Sequence, residues 1–302
     1  LNGDKMSESA PTIGVLGIQG SYTYAAGRHF SPESGPDEIM SYPNFTELVG
    51  AVKAGDVDAA ALPVLNSISR LIENPVLALY RSKAFATEQA VMQIDHHILA
   101  HPELESYEDI TSVHSKPEIF DQCSVTLNNA LGHANRVPES DSATSARLVA
   151  KSNDPTRVAL GSRESAEVYG LKVLNDGPIA NNPYNQTKFW KIEAEPREVG
   201  GSQITPVVLD VPHRGGALAM ALMELKSGEW AEEWMNLEDI GVISVPESTE
   251  DDAWADTKHI YLEIGAGNDD GYLKSAIRRI EQRPDTSVHV LGSFAVGGEI
   301  PS

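Results

Sequence analysis

The chain has 302 residues, of which 41% are hydrophobic and 22% are charged. This composition is typical of a globular protein and excludes a disordered or fibrous one, and the length predicts two or three globular units. The formal net charge of −21 repels nucleic acid and anionic membranes, so we expect neither as a partner. No apolar run approaches the roughly 20 residues that span a bilayer. Residues 1–11 lack the pattern of a secretion signal, so we expect a cytoplasmic location.

Apolar periodicity in the first two thirds of the chain predicts alternating strands and helices. A β-rich run over 12–16 stops at Gly17, and a helix follows over 21–30. Further helices are expected over 45–54, near Asn66 and Ser67, and over 118–131, 142–150 and 164–169. Further strands are expected over 59–64, 89–100, 157–160 and 188–192, and Val113 resembles the end of another strand. The alternation implies a largely parallel sheet covered by helices, and its doubling implies two lobes with a cleft between them.

The last third of the chain changes character after residues 196–202, a polar, glycine-containing stretch that we interpret as a linker. Strands are expected over 205–211, 237–245, 259–264 and 287–294, and helices over 216–228 and 272–281. This order, βαββαβ, is that of a ferredoxin-like domain. The acidic stretch 247–256 lacks the ligand spacing of a calcium-binding loop, so we interpret it as a solvated hairpin.

Five stretches, read in order, resemble motifs of the prephenate dehydratase family. Residues 17–23 (GIQGSYT) are similar to its opening Gly-x-x-Gly-Thr-Phe-Ser, and residues 62–67 (LPVLNS) to its Leu-Pro-Ile-Glu-Asn-Ser. Three more of its stretches are matched by 113–123 (VHSKPEIFDQC), 169–174 (YGLKVL) and 185–189 (NQTKF). Each motif alone is weak, but five in the family's order indicate kinship.

The resemblance implies an α/β fold with two parts. The first is a two-lobed, periplasmic-binding-protein-like catalytic region over 11–196, with its second lobe at roughly 104–178. The second is a ferredoxin-like βαββαβ ACT domain over 203–296, in which Gly216, Ala217 and Leu218 are expected to bind an amino-acid effector. Domains of this type have one exposed sheet face and associate in the family, so a homodimer or homotetramer is expected.

The resemblance also implies an activity. It is that of a carbon–oxygen lyase, prephenate dehydratase, which converts prephenate to phenylpyruvate, CO2 and water in phenylalanine biosynthesis; neither a cofactor nor a metal is expected. Thr187 matches the family's catalytic threonine, and Asn66, Ser115 and Gln122 match its polar active-site positions. A neutral donor suits a leaving hydroxyl because it adds no second carboxylate beside a dianion. Substrate binding is expected from Gly20, Ser21, Ser67, Lys188 and Phe189. Lys188 is expected to supply positive charge, and Arg70, which lies just past Asn66 and Ser67 in the sequence, to compensate for the family's missing Arg.

The chain departs from the family pattern at several positions. Lys188 replaces an Arg, Lys116 replaces the His of Ser-His-Pro, and Leu65 replaces the Glu before the Asn-Ser pair. The Glu-Ser-Arg-Pro segment that helps the family bind phenylalanine is not recognisable within 238–246. Two other functions therefore stay open: a non-aromatising prephenate decarboxylase, and a non-enzymatic sensor of amino acids or keto acids.

Two further features are interpreted as structural. Cys123 lies on a predicted helix among apolar neighbours, which indicates a buried thiol rather than a nucleophile. His96, His97 and His101 lie on a predicted strand, where adjacent side chains face opposite ways, so metal binding is not expected.

Overall fold

The computed structural model describes residues 10–197, 203–226, 237–244, 257–295 and 297–301. The first lobe contains strands β1 (Ile13–Leu16), β2 (Ile39–Tyr42), β3 (Ala59–Asn66), β4 (Arg70–Leu71), β5 (Phe85–Gln93) and β11 (Gln186–Glu193), with helices α1 (Tyr22–Phe30), α2 (Phe45–Ala54) and α3 (Glu73–Ser82). The second lobe contains β6 (His97–Ala100), β7 (Ser112–Ser115), β8 (Asn135–Pro138), β9 (Arg157–Gly161) and β10 (Lys172–Val173), with α4 (Pro117–Gln122), α5 (Ser124–Leu131), α6 (Ser142–Lys151) and α7 (Arg163–Tyr169). The expected two-lobed α/β architecture is confirmed.

Each lobe has a mixed sheet, which corrects the expectation of a largely parallel one. The first sheet has the order β17-β5-β11-β3-β1-β2, where β17 is the strand Glu299–Ile300. Strand β11 runs antiparallel to both its neighbours. The second has the order β10-β6-β9-β7-β8, with β6 antiparallel to β9 and β10. The reason is that β5 leads straight out of the first lobe and β11 returns to it. Strand β11 arrives from the second lobe and not by the helical crossover that parallel pairing requires, whereas β5 follows helix α3 and runs parallel to β3.

Several predicted elements differ from those observed, including the helix expected over 118–131, which is two helices, α4 and α5. The expected strand over 89–100 is two strands, β5 and β6, because the chain passes from one lobe to the other between them. No helix begins at Asn66, because its side-chain Oδ1 accepts the backbone N–H groups of Ile68 and Ser69 at 3.0 Å each and closes a turn instead. The next helix, α3, starts only at Glu73.

The C-terminal domain consists of β12 (Gln203–Pro212), α8 (Ala217–Lys226), β13 (Leu237–Ile243), β14 (Thr257–Ile264), α9 (Gly271–Glu281), β15 (Ser287–Val290) and β16 (Phe294–Ala295). Its main sheet is antiparallel with the order β13-β14-β12-β15, which is the ferredoxin-like arrangement predicted from the element order. The acidic stretch 247–256 and most of the expected linker lie outside the described residues. No helix in the described part of the chain is both long and apolar enough to span a membrane.

Both faces of this C-terminal sheet are covered over its central strands β12 and β14, so the expectation of one wholly exposed face is wrong, although Ile240 and Val242 of the edge strand β13 are exposed. On one face Val207 and Leu262 pack with Leu273 of α9 and other helix residues in one apolar cluster. On the other face Tyr261 joins a second cluster that also contains Trp190 of β11 and further side chains of the first lobe. The first lobe and the C-terminal domain therefore share a hydrophobic core, and their association removes that sheet face from solvent.

The chain then returns to the first lobe. Strand β17 (Glu299–Ile300) pairs in parallel with β5, with Ile300 opposite Met92. Ile300 is buried beside Tyr24 and Phe30 in the core of the first lobe. The C-terminal domain is thus joined to the first lobe by chain segments at both of its ends.

A substitution at Phe294 provides a test of the hydrophobic core that the first lobe and the C-terminal domain share. The Phe294 ring is 1% exposed and lies with its centroid 5.7 Å from that of Trp190 across the boundary between the two units. Phe294→Ala should lower the free energy of unfolding by about 3 to 5 kcal/mol, because the cavity it leaves cannot close fully. Denaturant unfolding measures this. Val125→Ala, at a side chain that is 60% exposed, is the control and should change stability by about 0.5 kcal/mol or less.

Candidate functional site

A cavity of about 720 Å³ opens between the two lobes. Strands β1 and β3 are parallel, so their carboxyl ends meet at one edge of the first sheet, and the loops that follow them form one wall. Lining side chains from the first lobe and its connections include Ser21, Tyr22, Thr23, Asn66, Asn185, Thr187 and Phe189. Those from the second lobe and its connections include His96, Lys116, Glu118, Gln122, Asp141 and Ser142. The cavity therefore combines these polar side chains with apolar ones such as Ile94, Ile119 and Phe189, and is built by elements that are distant in sequence.

Asn66 and Thr187 face each other across β3 and β11. Asn66 Nδ2 donates to Thr187 Oγ1 at 2.9 Å, and also lies 2.8 Å from Asn185 Oδ1 and 3.0 Å from the backbone oxygen of Gln186. The same turn that ends β3 fixes the amide orientation, since Oδ1 accepts two backbone N–H groups. Because Thr187 Oγ1 accepts from Asn66, its own hydroxyl hydrogen is available for donation to another group.

The polar contacts continue from Asn185 into the second lobe. Asn185 Nδ2 donates to Gln122 Oε1 at 3.4 Å, and the same oxygen lies 3.2 Å from His96 Nε2. His96 Nδ1 is in turn 3.3 Å from the hydroxyl of Tyr22, which donates to the backbone oxygen of Asp95 at 2.6 Å. A chain of side chains thus runs from Thr187 to Tyr22 along the cavity, and each one restrains the orientation of the next.

His96 is neutral in this chain of contacts. Burial lowers the pKa of its imidazole to about 4, although the hydrogen bond to Gln122 opposes the shift. Gln122 Oε1 is an acceptor, so the imidazole proton is on Nε2. The cavity therefore contains a neutral donor at His96 and carries no imidazolium near neutral pH.

Positive charge reaches the cavity from Lys116. Among the described residues that line the cavity, Lys116 is the only Lys or Arg; its side chain is 49% exposed and lies 3.4 Å from Glu118. Ser21 caps α1 by accepting from Tyr24 N, and Asp141 caps α6 by accepting from Thr144 N. The first turns of both helices line the cavity, where their remaining N–H groups have no acceptor within the helix and favour an anion.

Lys188 was predicted to bind the substrate, but its side chain does not line the cavity. It lies between Thr187 and Phe189 on a strand, so when those two side chains line the cavity, Lys188 faces the opposite way. Its ammonium pairs with Glu263 of the C-terminal domain. Arg70 also points to that domain and pairs with Asp239 at 3.1 Å. The two cations predicted to meet the substrate are therefore both in ion pairs away from the cavity.

Three other expected residues do not line the cavity. Gly20 lies beside it with φ +88°, and its backbone oxygen accepts from Ser162 and Ser165, so it joins the two lobes. Ser67 donates to the backbone oxygen of Tyr184 and accepts from Gln186 N, which fixes the segment before β11. Ser115 is fully buried at the end of β7, and its hydroxyl has no partner among the described residues.

The remaining predicted residues have defined positions. Ser21, Asn66, Gln122, Thr187 and Phe189 all line the cavity. The three expected effector residues lie at the start of α8, where Gly216 has φ +83° and Ala217 is buried. Cys123 is fully buried, as expected, and burial raises the pKa of its thiol to about 12. Among the described residues, no group of three His, Cys, Asp or Glu side chains is arranged to bind a metal ion.

Tyr22, His96, Lys116 and Asn185 line the cavity but were not among the residues predicted for it. Tyr22, Lys116 and Asn185 lie inside the motifs at 17–23, 113–123 and 185–189, so their sequence positions were an available signal. His96 was considered only as a metal ligand. Its contact with Gln122 joins two segments that are 26 residues apart, and no local pattern encodes such a contact.

Comparison with known proteins agrees with these observations. The family model described as prephenate dehydratase matches residues 13–197, more than half of the chain. A bifunctional chorismate mutase/prephenate dehydratase of Neisseria gonorrhoeae is 32% identical over 215 residues, which are 71% of this chain and 58% of that protein. The chain thus spans less than two thirds of the length of this relative.

Two solved structures share the fold. A prephenate dehydratase of Arthrobacter aurescens in complex with L-Phe has a TM-score of 0.79 at 24% identity, covering 94% of this chain and 90% of that one. GqqA, described as a novel type of quorum quenching acylase, has a TM-score of 0.76 at 21% identity, covering 95% of this chain and 98% of that one. The family expected from the five motifs is confirmed by the family model: the chain belongs to the prephenate dehydratase family.

Proposed function

We propose that the chain is a prephenate dehydratase, a carbon–oxygen lyase that forms phenylpyruvate in phenylalanine biosynthesis. The observation that supports this most directly is the hydroxyl of Thr187. It lies at the cavity, accepts a hydrogen bond from Asn66, and so has its own hydrogen free to donate. A positioned neutral donor of this kind is what the departure of a hydroxyl group requires.

The proposed reaction breaks two bonds of the substrate together. The ring carboxylate leaves as CO2, the electron pair of its C–C bond enters the ring, and the C–O bond to the ring hydroxyl breaks on the other side of the ring. Thr187 donates its proton to the departing oxygen, which leaves as water. Asn66 Nδ2 stabilises the negative charge that develops on Thr187 Oγ1, and a proton from solvent restores the hydroxyl. One proton is consumed for each prephenate.

The substrate has two carboxylates, and we propose different surroundings for them. Lys116 and the N–H groups at the start of α1 bind the carboxylate of the side chain, since both favour an anion. The ring carboxylate must lose its charge as CO2, so a wall without a cation suits it. Phe189, Ile94 and Pro63 provide such a wall.

Product analysis tests the proposal against the two alternatives. Phenylpyruvate formed together with CO2 supports a dehydratase. A decarboxylated, non-aromatic product would instead identify a non-aromatising decarboxylase. Unchanged prephenate would favour the non-enzymatic sensor. Neither alternative has a specific observation in its favour, whereas the free hydroxyl hydrogen of Thr187 favours the dehydratase.

Thr187→Val should lower kcat by about 100-fold or more, because it removes the proton donor and keeps the shape of the side chain. Steady-state formation of phenylpyruvate measures this. Thr87→Val is the matched control, since Thr87 is also a buried threonine of the same sheet but does not line the cavity. Near-normal turnover of the Thr187 variant would remove this residue from the mechanism.

Lys116→Met should raise KM for prephenate by about tenfold with a smaller effect on kcat, because a cation that binds a remote carboxylate acts on substrate and transition state alike. Lys116→Arg should keep most of the affinity. The control is Lys151→Met, which removes an exposed lysine outside the cavity. Equal KM values for the Met variants at positions 116 and 151 would show that Lys116 does not bind the substrate.

We also propose that the C-terminal domain is of the ACT type, that the chain forms at least a homodimer, and that phenylalanine binds weakly or not at all. The turn at Gly216 is retained, but the charged segment that would recognise an amino acid is not, and unpaired ligand charges are costly to bury. Exposed Ile240 and Val242 on the edge strand β13 favour association. Calorimetric titration with phenylalanine and sedimentation measure the two parts. Tight binding would contradict the first, and a monomer the second.

A further inference from the structure

The two sides of strand β11 face different parts of the protein. Thr187 and Phe189 line the cavity, whereas Lys188 and Trp190 face the C-terminal domain. The Trp190 ring lies 6.1 Å from that of Tyr261 between centroids, within a shared apolar cluster. The strand that presents the proposed proton donor is therefore packed directly against the C-terminal sheet.

Glu263 of β14 is the charged group in this contact. Its side chain is 0% exposed, and its two carboxylate oxygens accept from Lys188 Nζ and from the hydroxyl of Tyr261. A buried carboxylate is unfavourable unless it is paired and hydrogen-bonded. The need to pair Glu263 therefore restricts where the ammonium of Lys188 can lie, and through it the backbone beside Thr187.

The sheet itself restrains this point of β11 less than a regular ladder would. The register with β3 shifts between Lys188 and Phe189, whose partners are Leu65 and Pro63. The irregularity leaves Val64 between those partners, and proline has no N–H to donate to the ladder. The pairing with β5 continues without a shift from Gln186 to Lys191, so a side-chain contact at Lys188 fixes the strand where only its pairing with β3 is irregular.

A second ion pair connects the same domain to the strand opposite. Arg70 pairs with Asn66 between β4 and β3, and its guanidinium binds the carboxylate of Asp239, which is 9% exposed. The C-terminal sheet therefore contacts both sides of the Asn66–Thr187 pair, at Arg70 and at Lys188.

We infer that Glu263 is a positioning residue for the reaction: through Lys188 it fixes strand β11 so that the hydroxyl of Thr187 stays aligned with Asn66 and the substrate. The inference rests on the proposed function, since it concerns turnover of prephenate. Glu263 does not line the cavity, so its effect is on the geometry of Thr187 and not on substrate contacts. A misplacement of about 1 Å can lower turnover by about 100-fold.

Four variants of the full chain test this inference. Glu263→Gln and Lys188→Met should each lower kcat by about 10- to 100-fold with KM changed by about twofold or less. Lys188→Arg keeps the ion pair and should retain most of kcat. The double variant Lys188→Met/Glu263→Leu leaves no buried charge unpaired, so it should regain much of the thermal stability that the single variants lose. Its kcat should nevertheless stay low, because the ion pair between Lys188 and Glu263 no longer fixes β11.

Lys191→Met is the matched control. Lys191 lies on the same strand, has a similarly buried side chain (13% exposed against 16%), and pairs with Glu88 and Glu193 instead of the C-terminal domain. This variant should keep kcat near the wild-type value. Recovery of kcat together with stability in the double variant would reduce the ion pair to a structural role. An equal loss of kcat in Lys191→Met would also overturn the inference.

A measurement that does not depend on catalytic turnover distinguishes this inference from the proposed function. Hydrogen exchange in the segment 185–190 should be faster in Glu263→Gln than in Lys191→Met, because only the former releases Lys188. If the wild-type chain formed no phenylpyruvate, the proposed function would fail. The exchange rates would still decide whether Glu263 fixes β11: equal rates in the two variants would refute it, and faster exchange in Glu263→Gln would support it.

Discussion

The pairing of β11 with β3 is the contact on which the site depends. It brings Thr187 opposite Asn66, although the two residues are 121 positions apart in the chain. Between them the chain builds the whole second lobe and then returns, so the hydrogen bond joins two segments that flank that lobe in the sequence. The antiparallel direction of β11 follows from that return. The cavity is thus a consequence of chain topology, with the second lobe inserted between two halves of the first.

Burial strengthens the hydrogen bonds of the cavity and restricts the orientations of its side chains. In a site of low dielectric constant a hydrogen bond is stronger than in water, and an unmade one is costly, so each amide in the series from Asn66 to Gln122 has a restricted orientation. The same burial keeps His96 neutral. A neutral series of donors suits a dianionic substrate, because Lys116 can then act on one carboxylate while the other stays free to leave.

The elements predicted correctly from the sequence are those that depend on residues close together in the chain. The strand at 12–16 and the helix at 21–30 agree with β1 and α1 because periodicity and the Ser21 cap lie within a few residues. Motif matching predicted Asn66, Gln122 and Thr187 as site residues, and all three line one cavity. The placement of Lys188 failed, although alternation along a strand already puts it opposite Thr187. Its partner Glu263 is 75 residues away, and the contact between the two domains that creates the pair has no local signature.

The C-terminal domain has a direct mechanical connection to the reaction if Glu263 fixes β11. Its helices cover one face of the sheet, and the first lobe covers the other, so a ligand at the start of α8 would lie on the helical side. Any influence on Thr187 must then cross a single antiparallel sheet. A packed sheet is difficult to compress, so a change at one face is passed on as a shift of strands such as β14. Such a path would couple the two sites by free energy, and the coupling would be equal in both directions: substrate bound between the lobes would alter the affinity for any ligand at the start of α8.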